Sequence, residues 1–316
     1  PANAPRGAGM ETSTAEELAA PAYFDHGPRE VNLPAPGVAQ QREQQKQKQD
    51  DTNVWRTELF AARLLPATVE RLTVNSGAGH VEVAESSSNQ LEITAKIRAK
   101  LDTVAAGALT QLFEDHVEVS EEDGVLKIED KHHNERGWTV SFVVGVPGKL
   151  PLSANSGSGD VIVRRAGGTV TANTGSGDVK IALAGERVQT LSANTGSGDV
   201  EVEVASIEGK LDANTGSGSV AMLVTDPSSP GKAALSSGSG NLLVVVPANV
   251  VASFDLETNG DGIEMPRALG IEVKKELGGT TRARGSIGSG GGSYKLRSGS
   301  GELKVELGTA LPAKQK

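Results

Sequence analysis

The chain has 316 residues, enough for one large domain or two smaller ones, and carries 31 basic against 40 acidic residues. Its net charge of −9 argues against nucleic acid as a partner, because phosphate binding needs a concentrated basic face. The chain has no cysteine, which excludes disulfides and thiolate metal sites, and it has no 18-residue apolar stretch of the kind that spans a membrane.

Residues 1–53 are predicted to form an extended, low-complexity N-terminal arm. Six of the 14 prolines fall in this segment, together with the glutamine-rich run 40–49. Such a composition buries too little apolar surface to offset the entropy lost on ordering. The arm is therefore either a disordered linker or a segment that orders only on a neighbouring subunit. Because the chain begins at Pro1 and not at Met, we expect that a signal peptide has been removed; a shortened recombinant chain is the alternative.

Residues 54–150 are predicted to hold the first coils of a repeat structure, together with a small α/β insertion. An early copy of the repeat motif begins at Asn75 and has His80 at its last position. Apolar residues at helical spacing predict a helix over 101–113. The strands that follow are predicted at 116–119, 125–128 and 138–146, the first two of them joined as a hairpin.

Residues 151–310 are predicted to form a regular β-solenoid, and 311–316 a short tail. The hexapeptide Asn-Ser/Thr-Gly-Ser-Gly-Asp recurs, with small changes, at 155–160, 173–178, 194–199, 214–219 and 236–241. A short apolar run follows each copy, and such a unit cannot bury its apolar face alone, so it must stack on its neighbours. The pattern predicts an all-β fold, a single-stranded parallel β-helix with about 20 residues per coil.

Three kinds of residue in each coil have predicted structural roles. The stacked asparagines should form a ladder of amide hydrogen bonds through Asn155, Asn173, Asn194 and Asn214. Glycines should allow positive φ where the chain turns sharply, at Gly157, Gly159, Gly175, Gly177, Gly196, Gly198, Gly216 and Gly218. Period-two alternation predicts one inward face, formed in one repeat by Val170, Ala172, Val179, Ile181 and Leu183.

The stacked residues Asp160, Asp178 and Asp199 raise the question of a metal. Calcium would bridge carboxylates that otherwise repel each other at the spacing of stacked coils. Calcium-binding β-rolls, however, use a nine-residue repeat, and here the column changes to Ser219 and Asn241. We therefore favour the alternative in which each Asp accepts hydrogen bonds from amides of its own turn. The sequence assigns no cofactor and no metal.

The sequence offers no catalytic set, so we expect a protein without enzymatic activity. Sugar-processing β-helices need clustered carboxylates and aromatic platforms, but positions 152–246 contain no Trp, Tyr, Phe or His. The pair His132-His133 is a weak metal candidate, because adjacent residues of a strand point to opposite faces. The Gly-Ser-Gly units precede strands, which excludes a nucleophile elbow in front of a helix.

Taken together, these motifs resemble a bacterial family. Tandem Thr-Gly-Ser-Gly-Asp-Val units, the strand end Val146-Pro147-Gly148, the early copy Asn75-Ser76-Gly77 and the ending 294–303 are similar to the bacterial "putative adhesin" domain of unknown function. The resemblance covers residues 54–308 and implies a β-solenoid that is exported or held on the cell surface. It implies no settled biochemical activity and transfers no functional residue.

The leading hypothesis is a secreted structural protein that self-associates into an extracellular filament or surface assembly. The open end of a solenoid exposes unpaired backbone groups that template another chain, and the arm 1–53 would contact neighbouring subunits. The alternative is a monomeric surface adhesin or binding module that uses the solenoid as a rigid spacer. Its ligand, a cell-surface component or a carbohydrate, is not identified by the sequence.

Overall fold

The computed structural model describes residues 57–66, 69–88, 90–99, 114–131, 138–289 and 291–312. Residues 54–316 group as one compact unit, separate from residues 1–53. The arm predicted over 1–53, the helix predicted over 101–113 and the pair His132-His133 lie outside the described residues. Residues 114–116 are helical.

Strands make up nearly all of the regular structure in the described ranges, with one 3-10 turn at Arg267–Leu269. In chain order the strands are β1 Thr57–Pro66, β2 Arg71–Ser76, β3 Val81–Glu85, β4 Gln90–Ala99, β5 Val117–Glu122, β6 Val125–Asp130, β7 Trp138–Val146, β8 Leu152–Ser156, β9 Val161–Val163, β10 Gly168–Thr174, β11 Val179–Thr195, β12 Val200–Thr215, β13 Val220–Val224, β14 Lys232–Ser237, β15 Leu242–Val246, β16 Ala252–Thr258, β17 Ile263–Glu264, β18 Val273–Lys275, β19 Thr281–Ile287, β20 Gly292–Ser298 and β21 Leu303–Leu307.

These strands form two series that share one core. Series A runs β5-β6-β2-β8-β10-β11-β12-β14-β20-β16-β19-β18, and series B runs β1-β4-β7-β3-β9-β11-β12-β13-β15-β21-β17. The long strands β11 and β12 belong to both series, because each leaves one coil in series B and enters the next coil in series A. The middle of both series is parallel, so the predicted β-solenoid is confirmed.

Alternating side chains build the core as the sequence predicts. Val170, Ala172, Val179, Ile181 and Leu183 are all at most 2% exposed, and they belong to one apolar cluster that runs the length of the stack. The residues between them are half-buried or exposed, which is the expected pattern of a strand with one inward face. The hairpin predicted after residue 116 is also present as β5 and β6, with positive φ at Asp123 and Gly124.

The order of the coils in space differs from their order in the chain at both ends. Strands β2 and β3 pair directly with β8 and β9, so Asn75 lies beside Asn155 although 80 residues separate them. The insertion between these coils contributes β6 and β7, which stack on the outer side of β2 and β3. At the other end, β20 and β21 lie between the coil of β14 and β15 and the coil of β16 and β17.

In the described ranges, antiparallel strands lie beyond the parallel coils at the N-terminal end of both series and at the C-terminal end of series A, so the outer edges there are not edges of the parallel coils that the sequence predicted. At the N-terminal end of series B, β4 pairs with the outer edge of β7, and β1 pairs with the outer edge of β4. In series A, β5 pairs with the outer edge of β6. At the C-terminal end, β19 and β18 follow β16 in series A. In series B, the two-residue strand β17 covers only the first part of β21. This last pairing is parallel, so within the described ranges only series B at the C-terminal end lacks an antiparallel outer strand.

The repeated turn glycines have a different physical role from the one predicted. None of the eight has a φ in the positive range, so conformational freedom does not explain them. Instead, each turn lies so close to the next that an added Cβ would meet backbone: at Gly198 it would stand within 3.0 Å of the carbonyl oxygen of Gly177. The same clash recurs in the column of Gly157, Gly175, Gly196 and Gly216 and in the column of Gly159, Gly177, Gly198 and Gly218.

The substitution Gly198→Ala should therefore destabilise the protein by about 3 kcal/mol, because the backbone oxygen of Gly177 cannot move without breaking the stack. The control is Gly148→Ala, where no atom lies within 4 Å of the added Cβ, and it should change stability by less than about 0.5 kcal/mol. Denaturant unfolding measures both. Equal stability of the two variants would contradict the steric explanation.

Candidate functional site

The repeated turn is the site at which polar groups concentrate. In each coil it joins a series A strand to a series B strand, and parallel pairing keeps every turn position in register with the same position of the next coil. Equivalent residues therefore form columns along the stack. Three polar columns bond one coil to the next: the asparagines, the hydroxyl residues that follow them, and the aspartates that end the turn.

The asparagines form one continuous hydrogen-bonded ladder. Each side-chain Nδ2 donates to the Oδ1 of the preceding coil at 2.8 Å, through the pairs Asn155–Asn75, Asn173–Asn155, Asn194–Asn173 and Asn214–Asn194. The structure thus brings together all four asparagines that were predicted to stack and adds Asn75 to them. All donors point the same way along the axis, so the bonds polarise one another.

Charged or hydroxyl groups terminate this ladder at both ends. At the N-terminal end Asn75 Nδ2 donates to Glu129 Oε1 at 2.7 Å. Glu129 belongs to β6 and takes the register position of an asparagine, and Asp130, which follows it, is only 2% exposed. At the other end Ser236 Oγ donates to Asn214 Oδ1 at 2.5 Å. At the N-terminal end, the last amide donor of the ladder, on Asn75, needs an acceptor. The carboxylate of Glu129 is a strong one, so it suits a ladder whose hydrogen bonds all point the same way.

A second column, of buried hydroxyls, was not given a role by the sequence analysis. Thr195 Oγ1 donates to the carbonyl oxygen of Gly177 at 2.7 Å and accepts from the N–H of Gly198 at 3.2 Å. The residues that make the same pair of bonds are Ser156, Thr174, Thr215, Ser237 and Ser298. The signal was in the sequence: the position after each Asn or its substitute in the repeats is always Ser or Thr.

The aspartates hydrogen-bond the next coil, which corrects the prediction that they bind amides of their own turn. Asp160 Oδ1 accepts from the N–H of Asp178 at 2.9 Å, and Asp178 Oδ1 accepts from the N–H of Asp199 at 2.8 Å. Asp199 continues the column to the N–H of Ser219. His80 begins it, because its Nδ1 accepts from the N–H of Asp160. Each side chain thus fastens one coil to the next.

The aspartate column lines a surface depression of about 140 Å³, which also includes Lys180 and Glu201. Lys180 Nζ lies 2.6 Å from Glu201 Oε1, so the one cation of this depression is already paired. Across the described ranges, no group of three or more His, Asp or Glu side chains is placed to hold a metal ion. The aspartate oxygens that face the next coil are committed to backbone amides instead.

A charged network replaces the asparagine ladder at the C-terminal end. Arg297 Nη2 lies 2.7 Å from Asp255 Oδ2 and Arg284 Nε lies 2.8 Å from Asp255 Oδ1. Burial opposes ionisation of Asp255, but hydrogen bonds from Arg284 and Arg297 outweigh it and lower the pKa of this carboxyl. A lowered pKa in the folded state means that the stabilisation is present above the ordinary Asp pKa and is lost as the pH falls.

At the same end, the pKa of the Glu302 carboxyl is shifted in the opposite direction from that of Asp255. Burial, followed by repulsion from Glu264, raises the pKa of Glu302. Glu302 stands in the aspartate column, where its N–H donates to Asn241 Oδ1 at 2.8 Å. A raised carboxyl pKa is one mark of a catalytic acid. The aromatic pair Phe254 and Tyr294, with ring centroids 5.2 Å apart, is however buried in the core and offers no platform for a substrate.

These features define a β-solenoid repeat protein in which polar columns bind coil to coil. The Toastrack DUF4097 family model matches residues 44–205, about half of the chain, and the chain belongs to this family. The resemblance to a bacterial adhesin-type domain of unknown function is confirmed. No curated protein matches the chain. The described part of the chain contains no helix with the length and hydropathy that a membrane span requires.

Several solved structures are similar to this chain. A "putative cell adhesion protein" of Clostridium sporogenes ATCC 15579 is 10% identical, with 80% of this chain and 100% of that chain covered and a TM-score of 0.34. A "putative adhesin" of Bacteroides fragilis NCTC 9343 is 11% identical, with the same coverage and TM-score. A "putative lipid binding protein" of Parabacteroides distasonis ATCC 8503 is 14% identical, with 80% and 95% covered and a TM-score of 0.37. Scores this low carry no argument about function.

We predict that Asn194→Ala lowers the free energy of unfolding by about 2 kcal/mol, because it leaves Asn173 Oδ1 and Asn214 Nδ2 without partners in a half-buried ladder. The control is Thr171→Ala on the outer face of β10, which should cost less than about 0.5 kcal/mol. Urea unfolding at neutral pH measures both variants. A ladder variant as stable as the control would show that the asparagine bonds contribute nothing.

We predict that calcium does not stabilise the aspartate column. Thermal unfolding of the full chain should give the same midpoint in excess EDTA and in millimolar calcium, because each Asp is already held by a backbone N–H of the next coil. The matched variant Asp178→Asn keeps this acceptor and removes the charge, so it should retain or raise the midpoint. A calcium-dependent rise that disappears in Asp178→Asn would establish the metal site instead.

Proposed function

We propose that this protein is a non-enzymatic surface module of a bacterium in which the solenoid serves as a rigid spacer. One observation carries the proposal: the Asn, Ser/Thr and Asp side chains of the repeated turns are used in bonds between coils. Asn194, Thr195 and Asp199 of a single turn all bind a neighbouring coil. Groups committed in this way are not free to act on a substrate, whereas they resist bending and slippage of the stack.

The surface of the stack supports a spacer more than an enzyme. The carboxylates of the aspartate column repeat from coil to coil and do not converge on one point, as the opposed carboxylates of a glycosidase must. The depression of about 640 Å³ at the C-terminal end is lined by Ile263, Met265, Val273 and Leu307, with Lys304 held between Glu264 and Glu306. A ligand of such a module would bind at an end of the stack.

We place the protein outside the cell or on its surface. The support is the family resemblance, since an exported or surface-held location is what that resemblance implies. The ligand class in this proposal is a cell-surface component, carbohydrate included. A spacer of this kind sets the distance between its two ends by the number of coils, with about 4.8 Å for each coil.

Lengthening the stack tests the spacer. Residues 175–195 contain one complete repeat, so a second copy of this segment inserted after Thr195 should add one coil. We expect the lengthened chain to keep its melting temperature and to gain about 4.8 Å in maximal dimension by small-angle X-ray scattering. We also expect it to bind whole bacterial cells and their envelope polysaccharide fraction as well as the wild-type chain does.

The matched control is Lys180→Ala, which alters the outer face of a central coil without changing the number of coils. If both the lengthened chain and Lys180→Ala still bind, the ligand site lies at an end of the stack. Loss of binding in the lengthened chain, or in Lys180→Ala, would show that the central coils form a site themselves and would contradict the spacer.

A second candidate function is self-association through a solenoid end, as a filament or a smaller assembly, with the arm 1–53 contacting a neighbouring subunit. The observation that favours it is the ten-residue strand β1, which lies at the end of series B and pairs, within the described residues, with β4 only. With respect to the described residues, the outer edge of this strand carries N–H and C=O groups that another chain can pair with.

A further inference from the structure

In the part of the chain that the structure describes, four strands lie at the ends of the two series, and they differ in how well they resist pairing with another chain. At the C-terminal end, β17 has only two residues and is followed by Met265-Pro266, and β18 has three, all exposed, of which two are lysines. Short strands, lysine and proline are the devices by which sheet edges avoid association. The outer strands at the C-terminal end are therefore protected, in both series, from pairing with another chain.

At the N-terminal end, only one of the two outer strands is protected. Strand β5 carries Glu118, Glu121 and Glu122, so a second β5 placed beside it would meet like charges. Strand β1 has the sequence Thr-Glu-Leu-Phe-Ala-Ala-Arg-Leu-Leu-Pro, with six apolar residues, one acid and one base, and its proline stands only at the last position. Among the four, β1 alone combines length, apolar sequence and low charge.

We propose that β1 is the dimer interface of this protein and that its occupant is β1 of a second copy, paired antiparallel about a two-fold axis. The proposal rests on the self-association candidate and makes it specific. A two-fold axis normal to the sheet maps β1 onto itself only in registers where paired positions share a face. Centring the axis on Ala62 places Leu59 opposite Leu65 of the second copy and Phe60 opposite Leu64 of the second copy.

This register is complementary in chemistry as well as in geometry. Apolar positions meet apolar positions, Arg63 stands opposite Ala61 of the second copy, and Glu58 stands opposite Pro66 of the second copy, so like charges are never directly opposed. The two copies of series B then join into one continuous sheet. Because the contact is isologous, it closes on itself, and the protected C-terminal ends do not extend it.

Ala62 lies on the proposed two-fold axis, so substitutions at this residue test the dimer directly. This residue pairs with Thr94, a half-buried position on the outer side of β4, and it would face its own counterpart across the axis. In Ala62→Lys and in Ala62→Glu two identical charges stand directly opposite each other, with Cβ atoms about 5 Å apart. Each variant alone should raise the dimer dissociation constant at least about fivefold. An equimolar mixture of the two should form a heterodimer.

Sedimentation equilibrium of the full chain at micromolar concentrations provides the measurement, with a tag on one variant to identify the heterodimer. The matched control is Ala182→Lys, an outward position on a central strand, which should leave the dimer unchanged. Circular dichroism and the melting temperature confirm that each variant is folded, and recovery in the mixture excludes misfolding as the cause of dissociation.

The outcomes separate this inference from the broader candidate. A wild-type chain that stays monomeric overturns both the dimer and self-association. A polymer of more than two chains supports self-association but overturns the two-fold interface. A dimer that neither Ala62 variant weakens, or a mixture that forms no heterodimer, also overturns it. A dimer that the single variants dissociate and the mixture restores is the result we expect.

Discussion

The stack depends on one contact that recurs through the coils of the repeat, the hydroxyl of a Ser or Thr held between two turns. Thr195 shows its form: Oγ1 donates to the carbonyl of Gly177 below and accepts from the N–H of Gly198 in its own turn. The carbonyl can be reached only if the two turns touch, and they touch only if no Cβ stands between them. The motif Ser/Thr-Gly-Ser-Gly follows directly, since a hydroxyl and two closely packed glycines have to recur together.

The other columns reinforce this contact and place the chemistry of the molecule at its ends. Asparagine amides and aspartate carboxylates bind the next coil in the middle of the stack. At the N-terminal end the ladder meets Glu129, and at the C-terminal end Asp255 and its arginine partners take over. The middle thus repeats the same contacts from coil to coil, whereas the ends differ from one another in charge and strand length. A spacer that recognises something at one end needs this division.

Much of this architecture was predictable from the sequence, because the repeat is local. A period near 20 residues, alternating apolar positions and a recurring Asn identify the strands, the inward face and the ladder before any coordinates exist. The order of the coils at the ends was not predictable, since nothing local indicates that β20 and β21 enter the stack before β16 and β17. The antiparallel strands at the ends were missed for the same reason, because strands such as β4 carry no repeat motif.

The sequence analysis also missed the reason why glycine recurs in the turns. Glycine in a turn usually indicates positive φ, whereas Gly177 and Gly198 are needed for the approach of one backbone to another. That distinction depends on the neighbouring coil, which a single repeat does not contain. Likewise, the aspartates look like ligands in isolation, yet Asp178 accepts from the amide of Asp199 one coil away.

Hydrogen exchange of the turn amides tests the central claim most directly. The N–H groups of Gly198 and Asp199 lie in a surface turn, where amides ordinarily exchange rapidly, but here they donate to Thr195 Oγ1 and Asp178 Oδ1. If the columns hold the coils together, these amides should exchange as slowly as those of the adjoining strands β11 and β12. Rapid exchange of the turn amides beside fully protected strands would contradict the account.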